Sequence, residues 1–205
     1  MSALAELGRT LADLDDQSSW DDAHKRIIGS YLASSFAKPE SVSKYVASML
    51  APKSFQGNRT TERGNEWEPL LLAFAGAEPN RLLIHSPEND RFAATVDGAI
   101  AGDWFGICET KLKHKQVITG PTPREVRQLA WQLICIPEAE YAKWVWGEVV
   151  PDETEPGGWR LRRDPQELTF TRDDPRIVAA MELTLCIAPL VLAAYDAALT
   201  EKVPF

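Results

Sequence analysis

A mixed α/β sheet flanked by helices is the fold class this sequence predicts, and three observations predict it. A helical opening gives way after Gly76 to three short segments rich in Val, Ile, Phe and Trp. A strongly signalled helix then starts at Thr122, and one more strand-like run, Tyr141 to Val150, follows it. The resulting order of helix, strand, strand, strand, helix, strand belongs to a sheet with helices on its faces rather than to a bundle or a sandwich.

Each element has its own signal. Apolar residues recur at three- and four-residue spacing from Ala3 to Leu14 and from Asp21 to Phe36, predicting two amphipathic helices, with a third over Pro39 to Leu50. Thr61 to Gly76 continues in helical fashion through Trp67, Leu70, Leu71, Leu72 and Phe74 to a glycine suited to a left-handed cap. Arg81 to His85, Arg91 to Ile100 and Asp103 to Leu112, divided by the turn signals PEND and AGD, read as a three-strand meander. Thr122, Pro123 and Glu125 form a capped helix start, and Val126, Leu129, Leu133 and Ile134 give that helix an apolar stripe as far as Pro137. Trp144 and Trp146, on alternate positions of the next strand, share one face and are expected to pack under a helix or across a subunit interface. The stretch Pro151 to Gly158, PDETEPGG, reads as a solvated loop. A long helix from about Asp174 closes the chain; Glu182 in its middle and Pro189 near its end mark it as buried in protein rather than spanning a membrane.

The 205 residues, 44% hydrophobic and 25% charged, suit one soluble domain that buries roughly 70% of its unfolded surface. The expected organisation is a single domain over 1–205: a helical lead-in over 1–60, a core over about 61–150 and a C-terminal strand and helix region over 151–205. A net charge of −8 argues against an indiscriminate polycation but leaves room for a local basic groove. Cys108, Cys135 and Cys186 stand far apart with no zinc-finger spacing, and read as reduced core residues of a cytoplasmic protein. The N-terminus, with acidic residues and no apolar run, does not read as a secretory signal.

Three segments carry chemistry: Glu68 on the helix before the sheet, Asp97-Gly98 at the end of the second strand, and Glu109-Thr110-Lys111 on the third. In a strand, Glu109 and Lys111 project together while Thr110 turns away, and Asp97 can supply the carboxylate opposite. Two converging carboxylates beside a lysine make a hard-oxygen site for Mg²⁺ or Mn²⁺ rather than zinc, a site suited to phosphodiester hydrolysis. A lone E-x-K is commonly a solvated strand face; its weight comes from occurring in order with the other acids. Basic residues cluster at Lys111, Lys113, His114 and Lys115 and again at Arg160, Arg162 and Arg163, with Trp159 beside the second cluster, and both can face a nucleic-acid backbone.

VDGAI, then the strand CETKLK, then the helix VRQLAWQL resembles the PD-(D/E)xK nuclease fold, and within it the phage lambda exonuclease and YqaJ-type recombinase group. Gly64-Asn65-Glu66-Trp67-Glu68-Pro69 is similar to that group's glycine and E-P pair, and the resemblance runs from roughly Ala23 to Val150. It implies that Asp97 and Glu109 ligate one or two Mg²⁺ ions, with Mn²⁺ as a substitute, aided by the Thr110 backbone carbonyl and by Glu68 directly or through water. Lys111 would position or deprotonate the attacking water, and Gln132 and Gln128 would orient the nucleophile or hold the scissile strand. The group's 5′-phosphate grip is an arginine and a serine; Ala33-Ser34 resembles the serine part, but the arginine position falls on Ile27, with Arg26 the nearest basic residue. Arg26, Ser34, Gln128, Lys113 and Lys115 are therefore the expected DNA contacts.

The implied activity is a metal-dependent 5′–3′ exonuclease on linear duplex DNA, leaving single-stranded tails for phage-type recombination. The implied partners are duplex ends, a single-strand annealing protein and further copies of the chain in a trimeric ring, in the cytoplasm of a bacterial host. The competing readings are a restriction-like or repair endonuclease of the same fold and a non-catalytic DNA-binding module. Iron–sulfur versions of the repair enzymes need four cysteines, and this chain has three.

Overall fold

Gly8, in the left-handed conformation (φ 66°), stops the N-terminal helical run after one tight turn, Ala5–Leu7, in the computed structural model, which describes residues 3–51 and 59–201. The expected helix over Ala3 to Leu14 is therefore replaced beyond Gly8 by a strand, β1 (Thr10–Asp13), which exposes Thr10 and buries Ala12. Its reason is tertiary: β1 pairs antiparallel with β3 (Leu82–His85), a partner about 70 residues away that local periodicity cannot register.

The second expected helix is broken as well. α1 (Gln17–His24), capped by the Asp16 carboxylate on the Ser19 amide at 3.2 Å, is followed by a turn and by buried Ile27 and Ile28 outside any helix, where Ile28 bridges Phe92. α2 (Ser30–Ala33) is a single turn. A tight turn at Pro39–Ser41 leads into α3 (Val42–Leu50), as expected. α4 (Arg59–Ala75) ends at Gly76, whose φ of 68° supplies the left-handed cap.

The expected meander splits between two sheets. β3 lies between β1 and β4 (Ala93–Ala94) in a small sheet. The larger sheet runs β2 (Glu78–Pro79), β5 (Gly98–Ile100), β6 (Gly106–His114), β7 (Tyr141–Pro151) and β8 (Trp159–Leu161), with β9 (Gln166–Thr171) also paired to β7. β8 and β9 lie in the region expected to hold a C-terminal strand. β6 and β7 are parallel, Glu109 opposite Trp144 and Lys111 opposite Trp146, and the crossover between them is α5 (Pro123–Cys135). Residues 95–97 carry the chain from one sheet to the other, so Asp97 stands where the two diverge.

α5 begins with the capping box expected from Thr122 and Glu125 and buries Val126, Leu129, Trp131 and Leu133. α6 (Pro175–Glu201) packs along α5 and α3 with Ile177, Ile187 and Val191 fully buried. By length and composition α6 could cross a membrane, yet these contacts make one side of it core. Trp144 and Trp146 stack at 4.7 Å in the same core. Cys108 and Cys135 are buried as expected, whereas Cys186 lies exposed on α6.

Gly98 is packed too closely for any side chain: a Cβ there would stand 2.7 Å from Leu72 and 2.9 Å from the Glu78 carbonyl oxygen. Gly98→Ala is expected to destabilise the protein by about 1–3 kcal/mol in a urea melt. Because the backbone must shift next to Asp97, any catalytic activity is expected to fall with it.

Candidate active site

Glu109 and Lys111 lie on the face of β6 covered by α5, and the expectation that they project together holds: the Lys111 ammonium bonds the Glu109 carboxylate. α5 adds two amides to the same carboxylate. Gln128 Nε2 donates to Oε1 at 2.6 Å, and Gln132 Nε2, one turn on, donates to Oε2 and also reaches the Thr95 carbonyl at 3.3 Å. Glu109 and Gln132 are both buried. The Gln132 carbonyl oxygen has no hydrogen-bond partner among the described residues, an acceptor left waiting inside the site.

Asp97 approaches from the chain leaving β4. Its Oδ2 accepts from the Thr110 amide at 2.7 Å and the Thr110 hydroxyl at 2.8 Å, so the residue between the E-x-K pair locks the opposing carboxylate. Glu68, half-buried on α4, makes no bond or ion pair among the described residues, yet it lies within the field of both Glu109 and Lys111.

The electrostatics follow from burying three carboxylates around one cation. Burial, then repulsion from Asp97, pushes the Glu109 carboxyl up to about 7 against the pull of Lys111. Burial also raises Asp97, with Glu68 adding to the rise, and Glu68 is raised by burial and by Glu109. Burial alone would lower Lys111, but Glu109 and Asp97 outweigh it and raise the lysine. Excess negative charge of this kind, presented on hard oxygens, suits a divalent cation. Among the described residues no three His, Cys, Asp or Glu side chains are already drawn into a ready metal cage, since Glu109 is held by Lys111 and two glutamines and Asp97 by Thr110.

The other expected contacts divide. Lys113 forms an ion pair with Glu125 at 2.6 Å, where it supports the N-terminal cap of α5. Lys115 is exposed at the end of β6. Arg26 and Ser34 are not joined. Arg26 lines an open groove with Leu11, Asp22, Asp90 and Tyr195, while buried Ser34 takes Arg124 Nε on its hydroxyl at 3.1 Å and Arg127 Nε on its carbonyl at 2.8 Å. The sequence reading missed both arginines. Arg124 stacks 4.9 Å over the ring of Tyr31, which is 81% exposed, and it stands one turn before Gln128 on the same side of α5. The i, i+4 spacing of Arg124, Gln128 and Gln132 was the available signal.

No family model and no curated protein matches this chain. The chain is similar in structure to an alkaline exonuclease, LHK-Exo, from Laribacter hongkongensis, with a TM-score of 0.62 at 17% identity, covering 90% of this chain and 97% of that one. The same enzyme in complex with dAMP gives 0.59 at 18% identity over the same shares. A phage-related exonuclease from Haemophilus somnus 129PT gives 0.52 at 15% identity, covering 80% and 83%. The fold is thus the one these exonucleases have, a mixed sheet flanked by helices, as the PD-(D/E)xK resemblance implied, and the long C-terminal helix expected from the sequence is present.

Proposed function

We propose that this chain, on the fold it shares with those exonucleases, is a metal-dependent DNA exonuclease that digests linear duplex DNA from 5′ ends and leaves single-stranded tails for recombination. The observation that carries the reading is the Glu109 carboxylate, gripped by Lys111, Gln128 and Gln132 across from Asp97. A solvated strand face has no use for two glutamine amides, one of them fully buried, on one buried carboxylate. Cytoplasmic location, a trimeric ring and an annealing partner belong to the same reading through the sequence resemblance.

Asp97 and Glu109, with the Thr110 carbonyl and Glu68, would hold Mg²⁺ or Mn²⁺. Such an ion, when bound, acidifies the attacking water and offsets charge on the phosphate. Lys111 keeps its proton under the pull of Glu109 and Asp97, so it serves as the fixed cation against which negative charge develops on the phosphoryl oxygens. Gln132 fixes Glu109 through its amide nitrogen and offers its buried carbonyl oxygen to a proton of the attacking water. Arg124 and Arg127, gathered by Ser34, replace Arg26 as the grip on the 5′-phosphate, and neither has an acidic partner among the described residues.

The test is digestion of linear duplex DNA, with and without a 5′-phosphate, against closed circular DNA, in Mg²⁺ and in EDTA. Linear DNA alone is expected to be consumed, only with Mg²⁺ and faster with the 5′-phosphate. In Arg124→Ala that 5′-phosphate preference is expected to vanish, with about a tenfold loss on phosphorylated ends. Cutting of the circle would make the protein an endonuclease. No cutting of any DNA would leave a binding module.

A further inference from the structure

The two basic clusters of the sequence meet in space at the far end of the catalytic strand. β6 leads from Lys111 to Lys115, four residues or about 13 Å. There Lys115 turns into the left-handed region (φ 57°), the one non-glycine residue to do so among the described residues. A side chain strains that conformation, and strain of this kind persists where surrounding structure enforces it, often at functional sites. The turn carries the Lys115 ammonium over the ring of Trp159 on β8, at 5.8 Å, while the His114 ring meets the same indole edge-on at 5.3 Å.

The neighbouring cations sort by their partners. Arg160 is paired with Asp152, Arg163 with Glu148 and Lys113 with Glu125. Lys115 and Arg162 are exposed, and neither is in an ion pair among the described residues. An unpaired cation over an indole, with exposed Arg162 three residues further along the chain from that indole, is in a chain of net charge −8 a local match for phosphate and base together. Gly157, at the turn before β8, faces the carboxylate of Glu66, which precedes Glu68 by two positions on α4.

We propose that Trp159, Lys115 and Arg162 form a step that binds single-stranded DNA a few nucleotides from the bond that is cut, Trp159 stacking on a base and the two cations meeting phosphates. The step rests on the nuclease reading above and names where the strand runs after or before cleavage. Duplex DNA, whose bases are already stacked, gains little from Trp159; an unpaired strand gains most.

The test is anisotropy of a labelled single-stranded oligothymidylate in EDTA, where nothing is cut, over a range of salt. Trp159→Ala is expected to bind about tenfold more weakly and Trp159→Phe close to wild type. Lys115→Gly and Arg162→Ala are each expected to lower the slope of log affinity against log salt by about 0.7. Lys115→Gly separates function from folding, since glycine relieves the left-handed strain and the variant is expected to melt no lower than wild type. Wild-type affinity in Trp159→Ala, or an unchanged salt slope in both cation variants, overturns the step. Digestion of linear duplex in Mg²⁺ by the same proteins keeps the two readings apart. Cutting by the wild type together with unaffected oligonucleotide binding by the variants sinks the step alone, whereas a wild type that binds through Trp159 but cuts nothing keeps the step and sinks the nuclease.

Discussion

Asp97→Asn and Lys111→Ala are each expected to lower phosphodiester hydrolysis by about a thousandfold, while moving thermal stability in opposite directions. The amide introduced by Asp97→Asn retains an oxygen to accept the Thr110 hydrogen bonds but removes a buried charge that faces Glu68 and Glu109, so the metal-free variant is expected to melt higher than wild type. Lys111→Ala removes the one cation among the described residues in contact with buried Glu109 and is expected to melt lower. Loss of activity with gain of stability is the mark of a site whose charges are arranged for chemistry rather than for folding. Hydrolysis by Asp97→Asn within tenfold of wild type would remove Asp97 from the reaction.

In metal-free buffer the wild type is expected to lose stability relative to Glu109→Gln as pH rises from about 4.5 to beyond 7. The sign follows from the raised carboxyl. Below its unfolded value of 4.5, Glu109 is protonated in both states and costs nothing; between 4.5 and about 7 the folded protein holds a proton that the unfolded chain has released, so stability falls as pH rises. Above that range the full penalty is present, on the order of 3 kcal/mol. Against the upward push of burial, Glu125 and Glu148 are both held below the usual range, Glu125 by Lys113 and the Thr122 cap, Glu148 by the Ile118 amide and Arg163. They contribute the opposite slope, but they do so equally in both proteins, so the difference between wild type and Glu109→Gln isolates the site. Mg²⁺ is expected to raise the wild-type melting temperature most at pH 8 and hardly at all in the variant. Parallel curves for the two proteins from pH 5 to 8 would mean that Glu109 is not the buried, crowded acid described above.

The legible part of the chain was the part whose elements announce themselves locally. α4 with its glycine cap, α5 with its Thr122 and Glu125 box, and the strand of Trp144 and Trp146 all carry their own start, stop or alternation. The pairing of Glu109 with Lys111 and the convergence of Gln128 and Gln132 follow from the periods of a strand and a helix. The N-terminal region defeated the same method. Its three- and four-residue spacing is compatible with a helix, but β1 and Ile28 are extended because β3 and Phe92 await them in space.

Sequence by itself determined the order of the core elements and the residue types on each, because propensity, capping and periodicity act over a few residues. Tertiary structure alone decided which charges are neighbours. It spent Lys113 on Glu125, gave Ser34 to Arg124 and Arg127 rather than Arg26, bound Thr110 to Asp97, and brought Lys115 to Trp159 over the intervening β7. A side chain's charge is written in the chain, but its partner is set by distance. Distances between residues far apart in sequence exist only once the sheets have formed.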